Sequence, residues 1–426
     1  MVRTDIAVVG GGAAGLMAAL SAAKQLKSDG NIKKLLLLEG NNRVGKKILA
    51  TGNGRCNLSN KDLGADAYFG NRDIVEKILL RCGVREVEDM FGDMGLLCRA
   101  DDNGRIYPAN MQAAAVLKAL RAACEENGVD CCCDTEIFSA VRQNQGFLLK
   151  ASSGEEFFTE KLILACGGKA APLYSCKQKG YRLAEQLGHT GTGTYPALVQ
   201  LRCSGNVSRS LKGLRSRAAA HLFVNGELKA SESGEVIFND GALSGICIFD
   251  LSAAAADMLG RGELTRPFKS NVSVSLDLAE GMSEESLIAH FRRIQRNMPD
   301  MPVKDILFGV VNIRVGEAVL KPLFSDMMKP VTGLSTLELK SIAEGIKNFK
   351  FQITDLSGWD QAQVTAGGVT LKEFDGDTME SRCCAGLYMA GEMLEPAGKC
   401  GGFNLHFAWA TGMIAGKNAA KNVIYV

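Results

Sequence analysis

The chain has 426 residues, 46% of them hydrophobic and 23% charged, with a formal net charge of +2. That length allows two or three domains with ample core, and the near-neutral balance gives no reason to expect nucleic acid or an anionic membrane surface as the main partner. No apolar run approaches the roughly 18 residues of a membrane span, and a glycine fingerprint that starts at Asp5 leaves no room for a secretory signal before it, so the expected location is cytoplasmic.

The first predicted strand is Asp5–Val9. Gly10-Gly11-Gly12-Ala13-Ala14-Gly15 then reads as a tight turn, and Leu16–Lys27 as a helix of small and apolar residues. This is strand, G-x-G-x-x-G and helix in the order dinucleotide binding requires. Gly10 permits the sharp turn, Gly12 the approach of a pyrophosphate, and Gly15 the close packing of helix on strand. The helix amino end offers N–H groups to the phosphates. A second parallel strand, Lys33–Glu39, closes the βαβ unit on an acid that can accept from ribose hydroxyls.

Gly45–Ala50 leads into Thr51-Gly52-Asn53-Gly54-Arg55-Cys56-Asn57, a stretch of glycine, amide and hydroxyl with no apolar period. Such a loop brings many backbone donors close to a polar or flat ligand. Helices are predicted over Arg72–Cys82, Val84–Phe91 and Ala113–Asn127, with a turn or hairpin between Arg99 and Pro108. Strands are predicted at Asp130–Cys133, Ile137–Arg142, Gly146–Ala151, Glu156–Thr159 and Lys161–Gly168.

From about 190 to 355 the texture changes, as an inserted domain would. Residues 197–280 hold short alternating stretches, with a hairpin at Ala218–Val224, Asn225-Gly226, Glu227–Ser231 and a strand at Val272–Leu278. Helical period returns at Glu284–Gln295, Val303–Leu323 and Thr336–Asn348. The first domain resumes at Trp359, with strands near Gln363–Val369 and Gly386–Glu392. Gly401-Gly402 opens the last helix, a further place for backbone donors.

Fourteen cysteines are present without any C-x-x-C, and the four histidines (His189, His221, His290, His406) have no metal-ligand spacing, so no metal site is expected. In a cytosolic chain most of the thiols read as small buried hydrophobes. There is no second strand–GxGxxG–helix, so no separate nicotinamide domain is expected.

Gly10–Gly15, Glu39, Thr51–Asn57, Pro196–Val199, Ala366–Val369, Gly386–Glu392 and Gly401–Leu405 occur here in order and together resemble the BaiN-like (YhiN-like) NAD(P)/FAD-dependent oxidoreductases of bacteria, essentially end to end. The resemblance implies an α/β chain. Its glutathione-reductase-type, Rossmann-like FAD domain is discontinuous (1–189 and 356–426), with an inserted β-barrel-like domain (190–282) and a helical domain (283–355). It implies FAD with its pyrophosphate on the Gly10–Gly15 turn, its ribose on Glu39, and its isoalloxazine near Thr51–Asn57 and the C-terminal block. The cofactor set expected on this basis is Gly10, Gly12, Ala13, Ala14, Gly15, Glu39, Gly40, Lys47, Thr51, Gly52, Gly54, Arg55, Cys56, Asn57, Ile137, Ala165, Gly167, Gly391, Glu392, Gly402, Phe403, Asn404 and Leu405.

Two stretches depart from the family pattern: Lys169–Gly180, less rich in Ser, Thr and Gly, and Phe238–Gly245, which lacks a Thr-His pair and a Pro after Ser-Gly. Arg55 is the candidate for holding an anionic substrate or the flavin, against a surface ion pair. His406 is a candidate general acid, against a structural histidine. Cys56 as a redox thiol competes with a structural thiol or a plain flavin contact. The preferred function is an FAD-dependent oxidoreductase that acts on a small organic molecule, reducing a carbon–carbon double bond with NAD(P)H as donor; bile-acid-type enones are one proposal attached to the family. An FAD-dependent amine oxidase using oxygen, and a non-catalytic FAD-binding sensor or interaction protein, are the alternatives. Oligomeric state has no signature in the sequence.

Overall fold

Four parallel strands end level with one another in the computed structural model, which describes residues 1–31, 33–173 and 179–421. Val2–Val9 lies at the centre of a seven-stranded sheet, with Leu35–Leu38 on one side and Glu156–Leu164 on the other. Val9 pairs in register with both Leu38 and Leu164, and Leu164 in turn with Met389. Asp130–Cys132 extends the sheet beyond Leu35–Leu38. The unbroken leucine run of Leu35–Leu38 is buried on both faces, as a strand inside a covered parallel sheet must be.

Residues 156–159 and 161–168, expected as two strands, form one strand, Glu156–Leu164. It stays continuous because it pairs along its whole length with Val2–Val9. On its other edge the first half runs antiparallel to Gly146–Ala151 and the second half parallel to Leu387–Met389. Ile137–Gln143 pairs with Gly146–Ala151 to finish the sheet.

Helix Ala13–Ser28 covers the sheet and is itself covered by the last helix, Phe403–Lys421. The contact needs two glycines one turn apart. A Cβ on Gly412 would sit 2.5 Å from the Ala14 carbonyl oxygen, and one on Gly416 only 2.1 Å from that of Ala18. These elements belong to one compact unit, Met1–Ala197 with Trp359–Val426.

The other unit, Leu198–Gly358, holds a closed six-stranded barrel. Its strands run Leu201–Cys203, Ala242–Ser244, Glu227–Asn239, Arg215–Val224, Val272–Asp277, Phe349–Leu356 and back to the first. Burial alternates along Arg215–Val224, which sends Ala218, Ala220, Leu222 and Val224 inward. The same unit contains helices Glu284–Asn297, Ile313–Leu320 and Thr336–Lys347.

Two readings of this region are corrected. Val303–Leu323 is not one helix: the α-helix starts only at Ile313, where the Asn312 side chain accepts the Arg314 N–H at 3.0 Å and caps it. Helix Ile246–Gly260, absent from the sequence reading, is apolar around most of its circumference and buried, so it has no polar face to mark its period. Within the departing stretch Lys169–Gly180, residues 174–178 lie outside the described residues. Among the described residues no helix is long and apolar enough to cross a membrane, and no group of three or more His, Cys, Asp or Glu is placed to hold a metal.

Candidate cofactor and active site

The level ends of the four parallel strands create the site. In an open α/β sheet, ligands bind in the crevice outside the carboxyl ends of the strands. Gly10 follows Val9, Glu39 follows Leu38, Ala165 follows Leu164, and Ala390-Gly391 follows Met389. Gly10 has φ +108° and donates its N–H to the Leu38 carbonyl at 2.8 Å; a Cβ there would meet the Ala165 carbonyl oxygen at 2.4 Å. A Cβ on Gly15 would lie 1.7 Å from the Gly10 carbonyl oxygen, so helix and turn touch backbone to backbone. Gly12 is different: no protein atom comes within 4 Å of a Cβ built on it. The turn therefore presents an open cradle at the amino end of Ala13–Ser28, of the kind a pyrophosphate fills.

Glu39 is buried. Its Oε2 accepts the Gly11 N–H at 2.7 Å, and its Oε1 accepts both the backbone N–H and the side-chain amide of Asn41 at 2.7 Å. These bonds fix the carboxylate against the glycine turn. The Thr135 N–H donates to the Glu39 carbonyl, and the Asp134 N–H to that of Asn41. This brings Gly40 beside Glu136, and hence beside Ile137 at the start of its strand.

Lys47 and Glu392 meet from opposite ends of the chain, Nζ to Oε2 at 2.5 Å, with both side chains only about a quarter exposed or less. The other oxygen of Glu392 accepts the Thr365 N–H at 2.9 Å. Gly391 packs on Ala14, where a Cβ would come within 2.7 Å of the Ala14 Cβ, and donates its N–H to Thr411 Oγ1. Gly167, at φ +74°, has open space around it.

The Thr51–Asn57 loop winds through left-handed backbone at Gly52, Asn53, Gly54 and Cys56, with φ between 55° and 82°. Thr51 Oγ1 caps the preceding turn on the Ile48 carbonyl at 2.6 Å. Asn57 reaches the C-terminal block: a Cβ on Gly402 (φ +104°) would be 2.6 Å from Asn57 Oδ1 and 2.3 Å from the Ser59 carbonyl oxygen. Asn57 Oδ1 is itself buried without a hydrogen-bond partner in the protein. Arg55 is exposed; its backbone N–H donates to the Gly52 carbonyl at 3.2 Å, but its side chain makes no hydrogen bond or ion pair with another described residue, so the surface-ion-pair reading does not hold. An open phosphate cradle, a fixed carboxylate at the second strand end and an unsatisfied buried amide oxygen together fit a dinucleotide such as FAD.

One expectation is corrected, and two are narrowed. His406 is fully buried, with both ring nitrogens engaged. Nε2 lies 3.0 Å from the Cys82 carbonyl oxygen and must donate to it; Nδ1 then accepts from the Ser59 hydroxyl at 2.9 Å. Burial pulls its pKa down to about 4, against the opposing pull of the Cys82 bond and the Glu86 charge. A neutral ring with its one proton already given has none to offer as a general acid. Cys56 is likewise fully buried, and burial pushes its thiol up to about 12, in keeping with the structural-thiol reading. The Asn404 side chain binds the Gly398 N–H (2.8 Å) and the carbonyls of Gly398 (2.7 Å) and Lys399 (3.2 Å), so only its backbone is free for a ligand. Phe403 is buried, its carbonyl held by the Tyr68 hydroxyl at 2.8 Å, and Leu405 is half-buried.

Two residues that sequence reasoning missed support the same crevice. Thr365 Oγ1 accepts the N–H groups of Lys169 and Ala170 and so ties the loop after Gly167-Gly168 to the Val364–Ala366 strand. Lys169 itself bonds Thr194 Oγ1 at 2.6 Å, with its ammonium over the rings of Tyr181 and Trp359, and burial lowers its pKa. A lone lysine after a diglycine carries no sequence signal of that placement.

Residues 4–418 match the family model described as HI0933-like protein Rossmann domain. The chain is 33% identical over 417 residues to the 3-dehydro-bile acid delta(4,6)-reductase of Clostridium scindens, covering 98% of this chain and 99% of that protein. It is 26% identical to the ribosomal RNA dihydrouridine synthase of Escherichia coli, covering 96% of each. Among solved structures, the 3-ketosteroid delta1-dehydrogenase of Sterolibacterium denitrificans shares the fold at 13% identity and a TM-score of 0.52, covering 99% of this chain and all of that one.

Proposed function

The chain belongs to the HI0933-like Rossmann-domain family and is an FAD-dependent oxidoreductase, and from that premise we propose that it saturates a carbon–carbon double bond of a small organic substrate with electrons supplied by NAD(P)H. The observation that carries this reading is the end-to-end likeness to the Clostridium scindens reductase. Its name describes a delta(4,6)-reductase of a 3-dehydro-bile acid.

Bound flavin supplies the hydride or electron transfer itself. The protein's part is to hold, orient and shield. The Gly10–Gly15 turn holds the pyrophosphate, with Ala13 and Ala14 opening the helix behind it. Glu39 takes the ribose hydroxyls, and Gly40 and Ile137 border the adenosine end. Lys47, Ala165, Gly167, Gly391 and Glu392 line the middle of the cofactor. The backbone of Thr51–Asn57 and of Gly402–Leu405 receives the isoalloxazine end. The amino end of Phe403–Lys421 offers positive dipole to negative charge there. Arg55, exposed and unpaired, binds an anionic group of the substrate. With one nucleotide fingerprint in the chain, a nicotinamide donor would have no domain of its own.

A second reading places the double bond in a uracil of ribosomal RNA, as the name of the Escherichia coli relative describes. The lower identity and the net charge of only +2 set it second. Anaerobic stopped-flow mixing tests both. The expected result is bleaching of the bound flavin by NADH or NADPH and reoxidation by a conjugated enone. Reoxidation by ribosomal RNA alone would select the second reading. Bleaching by an amine, with neither nucleotide effective, would replace both with an oxidase.

A further inference from the structure

The loop that leaves the sheet after Leu164 carries a lysine whose charge has no counter-ion among the described residues. Lys169 is half-buried, with its Nζ 2.6 Å from Thr194 Oγ1 and 5.6 and 5.9 Å from the ring centroids of Tyr181 and Trp359. It forms no ion pair with any described residue. Glu185 is the acid that bears on it, and its pull is weaker than the burial that lowers the lysine's pKa. Residues 174–178, outside the described residues, include no Asp or Glu. The two ring faces attract the ammonium but do not neutralise it.

Thr194 is half used in the same way. An ammonium can only donate, so the Thr194 oxygen accepts from Lys169, and its own proton goes to no described acceptor. An ammonium and a hydroxyl 2.6 Å apart therefore both keep a proton for one outside atom. An oxygen that accepts twice and carries negative charge suits that place best. The neighbouring rings of Tyr181 and Trp359 suit a flat body attached to that oxygen.

Both donors are held firmly, and at the cofactor crevice. The N–H groups of Lys169 and Ala170 bond Thr365 Oγ1 at 2.8 and 3.1 Å, which ties the lysine backbone to strand Val364–Ala366. Thr194 immediately precedes strand Tyr195–Ala197, which pairs antiparallel with that same strand, Tyr195 opposite Ala366. The Thr365 N–H goes to Glu392 Oε1, and a Cβ on Gly168 would lie 2.7 Å from that oxygen. The donors thus hang from one strand pair, one residue from a packing contact with the carboxylate placed beside the middle of the cofactor.

We propose that Lys169 and Thr194 form an oxyanion site for a flat conjugated ligand, and that the carbonyl oxygen of the enone occupies it; the second clause rests on the reduction proposed above. Hydride, supplied from NAD(P)H by way of the bound flavin, adds to the β carbon. The C=C π pair moves to join the α carbon to the carbonyl carbon, and the C=O π pair moves onto oxygen. Lys169 faces the resulting C–O⁻ and keeps its proton, and the α carbon takes a proton from water. Donors already fixed where charge develops stabilise the addition without reorganising.

Para-nitrophenol tests the site without turnover, because its phenolate carries an oxyanion on a flat conjugated ring and differs from the phenol in visible absorption. Titrated into the FAD-loaded enzyme, the bound ligand should be more ionised than the free ligand at the same pH. Lys169→Met should weaken phenolate binding by about tenfold or more and abolish the excess ionisation, and Thr194→Val should weaken it by about threefold. Para-nitroanisole, which has no ionisable oxygen, should bind all three proteins within about twofold. Phenolate affinity within about twofold of wild type, in Lys169→Met protein that keeps its thermal unfolding midpoint, overturns the proposal. So does a wild-type enzyme that binds phenol and phenolate alike. Should Lys169→Met not fold, the wild-type preference and Thr194→Val decide. Enone reduction without Lys169-dependent phenolate binding removes the site and leaves the reaction; Lys169-dependent binding in an enzyme that reduces no enone keeps the site and removes the enone from it.

Discussion

Lys47 Nζ lies 2.5 Å from Glu392 Oε2 across 345 positions of sequence, so the two arms of the discontinuous unit are fastened by one partly buried ion pair beside the nucleotide turn. Hydrogen bonds to charged groups contribute roughly 1.5–3 kcal/mol when water is largely excluded. Lys47→Met should therefore weaken FAD binding by about tenfold or more in a fluorescence titration, with the fold retained. Unchanged affinity would place the pair outside the cofactor's reach.

Gly12 and Gly15 are three residues apart and should fail in opposite ways. A methyl on Gly15 collides with the Gly10 carbonyl oxygen at 1.7 Å, whereas one on Gly12 meets no protein atom within 4 Å. Gly12 also has φ −84°, which alanine adopts freely. Gly15→Ala should lower the stability of the FAD-free protein by about 1–3 kcal/mol, as overpacking does. Gly12→Ala should leave that stability within about 0.5 kcal/mol and instead lose most FAD affinity. Thermal unfolding with and without FAD separates the two, and a destabilised Gly12→Ala protein would contradict the open cradle.

The same distinction explains what was legible in the sequence. The glycine turn could be read because its contacts are local: Gly15 presses on Gly10, and the strand before and helix after it announce themselves by pattern. The level strand ends follow from that βαβ unit and from the diglycine after Leu164. Lys47–Glu392, Ser59–His406 and His189–Glu373 were not legible, because each joins residues 184 to 347 positions apart whose types are ordinary where they stand. His406 shows the cost of reading one residue alone. A histidine on the last helix suggests proton chemistry until Ser59 and Cys82, arriving from the other arm of the chain, are seen to hold both nitrogens. Helix Ile246–Gly260 was hidden for another reason, since burial on nearly every side erased its amphipathic period.

Arg55 gives the clearest test of substrate charge. It is exposed, its side chain is unpaired among the described residues, and it sits between Gly54 and Cys56, both in left-handed backbone. Arg55→Ala should keep FAD affinity within about twofold but reduce kcat/KM on an anionic substrate by about tenfold to a hundredfold, the worth of a hydrogen bond to a charged group. Arg55→Lys should recover only part of the loss, because a single ammonium cannot reproduce a bidentate contact. Unchanged kinetics would remove Arg55 from the site.

His406 makes stability depend on pH, in a direction its burial determines. Its pKa is near 4 in the folded protein and 6.5 as a model group, so between these values the unfolded chain binds the proton and the folded one does not. Stability then rises with pH through that window. The His406 contribution is complete above pH 6.5 and declines as pH falls toward 4, by roughly 3 kcal/mol in all. His406→Gln, which can keep one donor and one acceptor, should flatten the fall in unfolding free energy between pH 6.5 and 4 while costing about 1–3 kcal/mol at neutral pH. Urea unfolding of both proteins across that range measures it. A wild-type curve no steeper than the variant's would mean that the ring is not buried neutral, and would reopen it as a proton donor.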